Sequence, residues 1–279
     1  MSYSAEISRD NPTCILFVVD QSTSMSDKMA TGKSKAEFVA DALNKTIYTM
    51  ITNCTKADGV RNYFEIGVIG YGGSGTPNGL KGALAGKAVS AISEVGDNPL
   101  RIEARTQLLD DGAGGILERS VKFPVWFEAV ANGGTPMTAA LTRCAEILVE
   151  WCDSHPNSYP PTVLHLTDGE STDGDPERVA DAIRQVSTND GTVLLLNAHI
   201  STAVGETVQF PASSASLANS YATQLFDMSS VLPNHVANLA KDKGYALSDG
   251  ARGFMFNADP KDIVNFFEIG TRPRLTVDR

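Results

Sequence analysis

Short apolar runs alternate with amphipathic helical patterns along most of the chain. Five runs have the mostly apolar composition of strands buried on both faces of a parallel sheet, and they cover residues 14–20, 64–71, 163–168, 193–200 and 252–256. Apolar residues at helical spacing predict helices over residues 34–53, 136–151, 175–187, 231–243 and 260–269. Strands that alternate with helices predict a Rossmann-like, doubly wound α/β fold, with a mostly parallel central sheet and helices on both faces. In such a sheet, ligands bind at the carboxyl ends of the strands.

Three stretches depart from this alternation. Residues 72–115 hold 10 of the 24 glycines, and residues 121–127 have the pattern of an additional strand that Pro124 interrupts. We interpret residues 72–130 as a Gly-rich insertion, either a surface excursion or a partner-binding element, within a single domain of residues 1–279 whose core is at about 10–270. The Ser- and Ala-rich residues 201–230 are predicted to be irregular. Residues 271–279 are predicted to form a short edge strand or a flexible end.

Composition narrows the classes of function. The 279 residues include 33 Asp and Glu against 23 Lys and Arg, a formal net charge of −10. This balance argues against nucleic acid or an anionic membrane as the main partner. The longest strongly apolar run, residues 14–19, is far shorter than the roughly 20 residues of a membrane span. Because the first residues lack the pattern of a secretory leader, we expect a cytoplasmic protein whose four cysteines are reduced and buried.

Oxygen-bearing side chains follow the first predicted strand in the order Asp20, Ser22 and Ser24. Alternate side chains of an extended segment point to one side, so these three are expected to converge. One carboxylate and two hydroxyls offer oxygen ligands, which suit Mg²⁺ and Mn²⁺. They offer no soft ligand for zinc.

Two further oxygen donors are predicted at the same edge of the sheet. Thr135 precedes a predicted helix, and Asp168 ends the third clear strand. Each has a simpler interpretation: Thr135 as a helix N-cap with Pro136 at the first helical position, and Asp168 as the start of a turn. Their joint occurrence with the Asp-x-Ser-x-Ser pattern favours a metal site.

These motifs resemble the metal-ion-dependent adhesion site (MIDAS) of von Willebrand factor A (vWA) domains, which pairs Asp-x-Ser-x-Ser with a later Thr and a later Asp. The matching residues stand in the family's order, and the resemblance covers roughly residues 10–270; they are Asp20, Ser22, Ser24, Thr135 and Asp168. The sequences around Thr135 and Asp168 look like those of intracellular, prokaryote-type members. The chain departs from the family in its Gly-rich insertion and at Gln21, where adhesion-type members usually have Gly. Neither departure removes a predicted ligand.

The resemblance implies a function without catalysis. A divalent cation, Mg²⁺ or Mn²⁺, would be only partly neutralised by two Asp residues and three neutral hydroxyls, and would accept an Asp or Glu carboxylate from a partner protein. Similar intracellular members act as adaptors beside AAA+ ATPases, protein kinases and phosphatases, or in stress and tellurite-resistance systems. Two alternatives remain open: a Mg²⁺-dependent hydrolase or phosphotransferase that uses the same oxygen cluster, and a scaffold that does not use the metal. Glu170 is interpreted as a solvated turn residue rather than one that orients a metal-bound water.

Other patterns are weaker indications of function. Residues 70–75 spell Gly-x-Gly-x-x-Gly after a predicted strand, but the following residues predict a turn, whereas dinucleotide binding requires a helix at that point. Ser22 stands where a haloacid-dehalogenase-type site requires a second Asp, and the chain has no phosphate-binding P-loop motif. The aromatic pair Trp126 and Phe127 and the strand histidines His165 and His199 are interpreted as core residues.

Overall fold

The computed structural model describes residues 3–110, 116–202, 206–215, 217 and 219–272. Eleven strands are present in this part of the chain: β1 (Thr13–Asp20), β2 (Thr55–Lys56), β3 (Gly59–Val60), β4 (Phe64–Tyr71), β5 (Ser90–Ala91), β6 (Arg101–Asp110), β7 (Ile116–Val125), β8 (Thr162–Thr167), β9 (Leu194–Ile200), β10 (Val208–Gln209) and β11 (Phe254–Ala258). The described helices are α1 (Lys35–Cys54), α2 (Ile92–Asp97), α3 (Met137–Ser154), α4 (Glu177–Ile183), α5 (Ser220–Met228), α6 (Asn234–Asp242) and α7 (Pro260–Gly270).

Seven of these strands form one sheet in the order β10-β11-β9-β8-β1-β4-β5. The five central strands are parallel, and the two-residue strands β10 and β5 pair antiparallel at its edges. The predicted doubly wound α/β fold class is therefore confirmed. Strand order reverses at β1, because the chain goes first to β4 on one side and later to β8 on the other. Ligands of doubly wound folds bind at such a reversal point.

Strand β1 contributes to the apolar packing on both faces of the sheet. Ile15, Phe17 and Val19 pack in the cluster that includes residues of α1 and α7, whereas Leu16 and Val18 pack in the cluster that includes residues of α3. All eight residues of the strand are buried. This double burial explains why the strand is a continuous apolar run in the sequence.

The predicted helices are present, with boundaries that differ by a few residues. Helix α1 begins after Ser34, whose hydroxyl accepts a hydrogen bond from the Glu37 backbone while the Glu37 carboxylate accepts one from the Ser34 backbone. This capping box fixes the start of the helix. The prediction of an irregular segment over residues 201–230 was wrong where helix α5 forms. The Asn219 side chain caps α5, and its apolar residues have helical spacing, so the signal was present among the surrounding Ser and Ala residues.

The Gly-rich insertion contains a hairpin outside the main sheet. Strands β6 and β7 pair antiparallel from Arg101 with Val125 to Asp110 with Ile116. The strand predicted over residues 121–127 is the end of β7, and Pro124 is accommodated opposite Ile102. Trp126 and Phe127 lie beyond the strand and are buried, as expected of core residues.

Other expectations from the sequence concern the cysteines, the membrane and the chain end. All four cysteines are free and buried, and burial raises the pKa of the Cys54 thiol to about 12. None of the helices in the described ranges is long and apolar enough to cross a membrane. Residues 273–279, for which an edge strand or a flexible end was predicted, lie outside the described residues.

Candidate metal centre

The candidate ligands from β1 and β8 lie at the reversal point of the sheet. Val19 of β1 is paired with Leu166 of β8, so the two parallel strands end side by side. Asp20 is the last residue of β1, and Asp168 directly follows β8. The topology therefore brings together two carboxylates that are far apart in sequence.

The chain turns immediately after β1. Ser22 has an extended backbone, but Thr23–Ser26 form a 3-10 turn, so Ser24 does not lie on a continued strand. Alternation along an extended segment was thus the wrong reason for placing Ser24 beside Ser22. The turn produces the same result, because the two hydroxyl oxygens are 3.1 Å apart.

Asp20 is held by hydrogen bonds to both of its carboxylate oxygens. The Ser22 backbone N–H donates to Oδ1 at 2.8 Å, and the Thr167 hydroxyl donates to Oδ2 at 2.9 Å. The side chain is buried, and burial raises its pKa to about 6; the charge of Asp168 also raises it. The site thus holds a carboxylate in a place that resists its negative charge, which a bound cation would relieve.

Hydroxyl groups connect the Ser22 turn to Asp168. The Ser24 hydroxyl donates its proton to Asp168 Oδ1 at 2.7 Å, so in this arrangement the Ser22 hydroxyl donates to Ser24. The donors are carboxylate and hydroxyl oxygens, which are the ligands that hard divalent cations prefer. The chemistry of these donors fits Mg²⁺ or Mn²⁺.

Lys35, the first residue of α1, completes the surroundings of Asp168. Its Nζ lies 2.8 Å from Asp168 Oδ2 and 3.1 Å from Asp27 Oδ2. Burial disfavours the charge of Lys35, but its hydrogen bonds and charge interactions with the two carboxylates outweigh burial and raise its pKa. An internal cation therefore already neutralises Asp168.

Thr135 reaches this edge through its backbone contacts. Its N–H donates to Thr172 Oγ1 at 3.0 Å, and the Thr172 N–H donates to its carbonyl at 2.9 Å. On the other side, the Gly133 carbonyl accepts from the Thr23 N–H at 2.9 Å. The loop of Thr135 is thus fixed between the Ser22 turn and the segment that follows Asp168.

The N-cap interpretation of Thr135 is wrong. Pro136 occupies the N-cap position of α3, and no side chain at that position makes a capping hydrogen bond. Instead, Asp173 accepts from the backbone N–H groups of Thr138 and Ala139, each at 2.9 Å. The loop after β8 therefore caps α3, and Thr135 is not needed for that purpose.

The glycine motif after β4 packs against the Thr135 loop. No helix begins at Gly75, as the sequence predicted; residues Gly72 and Gly75 exchange backbone hydrogen bonds in a tight turn. A Cβ atom on Gly72 would lie 2.7 Å from the Gln21 carbonyl oxygen and 2.8 Å from that of Asn132. These glycines therefore allow three loops to meet at the site.

Tyr221, Glu170 and His199 lie around the end of β8. Tyr221 donates a hydrogen bond to the Gly169 carbonyl, and Glu170 is exposed on the turn, as expected of a solvated residue. His199 is buried and stacked on Phe256, with ring centroids 4.4 Å apart. Burial lowers the pKa of His199 to about 4, although the nearby Asp168 charge opposes this shift.

Sequence reasoning missed several residues that shape the site. The sequence contains one indication that Lys35 is a site residue, because a lysine in the first turn of a helix is unusual. No sequence pattern indicates Thr167, Thr172 or Asp173, because their hydrogen-bond partners are distant in sequence. Within the described ranges, no group of three or more His, Cys, Asp and Glu side chains is suited to a metal ion. The candidate centre consists instead of two carboxylates and neutral hydroxyls.

Comparisons with known proteins give structural likeness only. No protein-family model matches the chain, and no curated protein matches it. Among solved structures, the chain is similar to proximal thread matrix protein 1 of the mussel byssus, with 12% identity over 95% of this chain and 48% of that chain and a TM-score of 0.49. It is similar to the ArnB paralog VWA2 of Sulfolobus acidocaldarius, with 14% identity over 68% of this chain and 35% of that chain and a TM-score of 0.37.

A third similar structure is the manganese-loaded TRAP protein of Plasmodium vivax, with 14% identity over 88% of this chain and 70% of that chain and a TM-score of 0.38. The chain spans less than half the length of the first two structures.

Proposed function

We propose that the chain is a vWA domain that binds a protein partner through a divalent cation, Mg²⁺ or Mn²⁺. The observation that carries this proposal is the all-oxygen cluster at the reversal point of the sheet, in which the Ser22 and Ser24 hydroxyls connect to Asp168 beside the buried Asp20. The proposed cation ligands, direct or through water, are Asp20, Ser22, Ser24, Thr135 and Asp168.

The residues of the site have separable roles in this proposal. Asp20 is fixed by the Ser22 backbone and the Thr167 hydroxyl, so its carboxylate is oriented in advance. Ser24 and Asp168 are held together by their hydrogen bond. When bound, the cation would supply a positive position for an Asp or Glu carboxylate of the partner. Adaptor functions beside AAA+ ATPases, kinases or phosphatases belong to this proposal, since similar family members have them.

We infer that the domain is not an enzyme. The imidazole that lies near the Asp168 charge, His199, is buried, and its Nδ1 accepts a hydrogen bond from the Asn257 backbone. This arrangement does not favour proton abstraction from a water at the cation. A Mg²⁺-dependent hydrolase or phosphotransferase that uses the same oxygen cluster is the competing function.

The test compares the wild-type protein with Asp20→Asn, which keeps the side-chain shape and removes the charge. Asp10→Asn, at an exposed position before β1, is the matched control. We expect wild type and the control to bind Mn²⁺ by calorimetry and to gain about 2.7 kcal/mol of stability at a hundredfold excess over Kd. Asp20→Asn should retain its fold and lose both effects. Equal Mn²⁺ binding by all three proteins would refute the assigned centre.

Partner binding is tested next by cross-linked capture in Mg²⁺ and in EDTA. A partner that requires both Mg²⁺ and Asp20, and whose binding is lost when one of its own carboxylates is removed, supports the proposal. Mg²⁺-dependent hydrolysis of a phosphate ester that Asp20→Asn abolishes would favour the hydrolase. Partner binding that is unchanged by EDTA and by Asp20→Asn would favour the metal-independent scaffold.

A further inference from the structure

Lys35 places a buried positive charge at the candidate centre. Its side chain is 6% exposed and that of Asp168 is 0% exposed, and the two form an ion pair at 2.8 Å. The Lys35 Nζ also lies 3.4 Å from the Ser24 carbonyl oxygen. The ammonium group therefore contacts oxygens from two of the three loops that supply the proposed ligands, the turn after β1 and the segment after β8.

The helix itself does not account for a lysine at this position. The first turn of a helix carries a partial positive charge, so a cation there is unfavourable. Within the site, the hydrogen bonds and charges of Asp168 and Asp27 outweigh the cost of burying the ammonium group, so the carboxylates and not the helix hold the charge there. The first turn of α1 thus contains a residue that the helix itself disfavours.

The charge of Lys35 changes the sum of charges at the site. A divalent cation with Asp20 and Asp168 alone is neutral, whereas the same set with Lys35 carries one positive charge. Asp27 also contacts Lys35, but its side chain is 57% exposed, so water screens its charge more than that of the buried Asp168. A third carboxylate would therefore neutralise the loaded site with Lys35 present and would leave it negative without Lys35.

We infer that Lys35 is a specificity-determining residue that weakens cation binding and strengthens the binding of a carboxylate to the loaded site. This inference rests on the proposed function. It explains why Asp168 Oδ2 is occupied by an ammonium group while Oδ1 faces the serine hydroxyls. The site would then depend on an anionic partner and would reject neutral or cationic groups.

The inference is tested by measuring Mn²⁺ affinity by calorimetry and acetate binding to the Mn²⁺-saturated protein by broadening of the acetate methyl proton signal. Lys35→Met should bind Mn²⁺ about tenfold more tightly than wild type and acetate about tenfold more weakly. Lys35→Arg, which keeps the charge, should resemble wild type. Lys33→Met is the matched control, because Lys33 is an exposed lysine on the loop before α1 and pairs with Asp41.

Asp27→Asn provides a second variant at an exposed side chain, for the case in which Lys35→Met does not fold. It leaves the Lys35 charge less neutralised, so Mn²⁺ should bind more weakly and acetate more strongly, the reverse of the effects of Lys35→Met. Mn²⁺ and acetate affinities that stay within about twofold of wild type in the folded variants would overturn the inference. The same conclusion follows if Lys35→Arg behaves like Lys35→Met.

Failure of the proposed function gives a different result. If wild type binds no Mn²⁺, both the proposed centre and the role of Lys35 are refuted. If wild type binds Mn²⁺, Asp20→Asn does not, and Lys35→Met equals wild type, the centre stands and only the role of Lys35 is refuted.

Discussion

Acid should destabilise the fold through His165, which lies in β8 and is fully buried. Its Nδ1–H donates to Asn197 Oδ1 at 2.7 Å, because the Asn197 amide N–H₂ donates to the Ser229 hydroxyl and leaves the carbonyl oxygen facing the ring. Its Nε2 accepts from the Tyr71 hydroxyl at 2.8 Å. Both ring nitrogens are therefore satisfied in the neutral imidazole.

The magnitude follows from the two pKa values of this ring. Burial lowers the pKa of His165 from 6.5 to about 4 in the folded protein. Between these values the unfolded chain binds the proton more strongly, so the contribution of His165 to stability is present above pH 6.5 and is lost as the pH falls towards 4. From pH 7 to pH 5 this loss amounts to about 2 kcal/mol in the free energy of unfolding.

The assay is urea unfolding of wild type and His165→Gln at pH 7, 6 and 5. Asp20 and His199 also have shifted pKa values, but both are present in the two proteins, so the difference between their pH slopes isolates His165. Wild type should lose about 2 kcal/mol more than His165→Gln over this range. Identical slopes, or an NMR titration that gives the folded ring a pKa near 6.5, would refute the reasoning.

Two further predictions concern the scaffold of the candidate centre. Gly72→Ala should lower the free energy of unfolding by about 1–3 kcal/mol, because its Cβ would overlap two backbone carbonyls, and Mn²⁺ affinity should fall as well. Gly169→Ala is the control, because its Cβ would meet no atom within 4 Å. Equal urea midpoints for the two variants would contradict this prediction. Asp173→Asn should lower the free energy of unfolding in urea by about 1 kcal/mol, because it removes the charge that caps α3. Glu170→Gln, at an exposed position, is the control, and an unchanged midpoint for Asp173→Asn would contradict the capping role.

The alternation of apolar runs and helical patterns was sufficient to predict the parallel strands and the principal helices. Those strands are buried on both faces, so their composition differs clearly from that of the amphipathic helices between them. Helix α5 was missed because the polar and small residues around it obscured a short pattern. The end of β7 was predicted as a strand over residues 121–127, whereas β6 and its pairing with β7 were missed, because residues 101–106 have no buried side chain that would impose strict alternation.

At the candidate site, the residues before and after a strand end could be predicted, and the contacts between loops could not. Asp20 and Asp168 were placed together because parallel strands end at one edge. The contacts of Thr172 with Thr135 and of Lys35 with Asp168 join segments that are distant in the chain, and no local pattern encodes them. The assignment of the five ligands remains a prediction that metal binding will test.

The double burial of β1 has a consequence for how the chain finds its alignment during folding. In a strand with one solvated face, a shift by one residue exposes apolar side chains and is penalised. In β1, the same shift exchanges one apolar face for another, so hydrophobicity distinguishes the alignments weakly. The shift would, however, carry the Asp20 carboxylate away from the Ser22 N–H and the Thr167 hydroxyl. The hydrogen bonds of Asp20 at the polar end of β1 therefore help to select the correct register of the central strands.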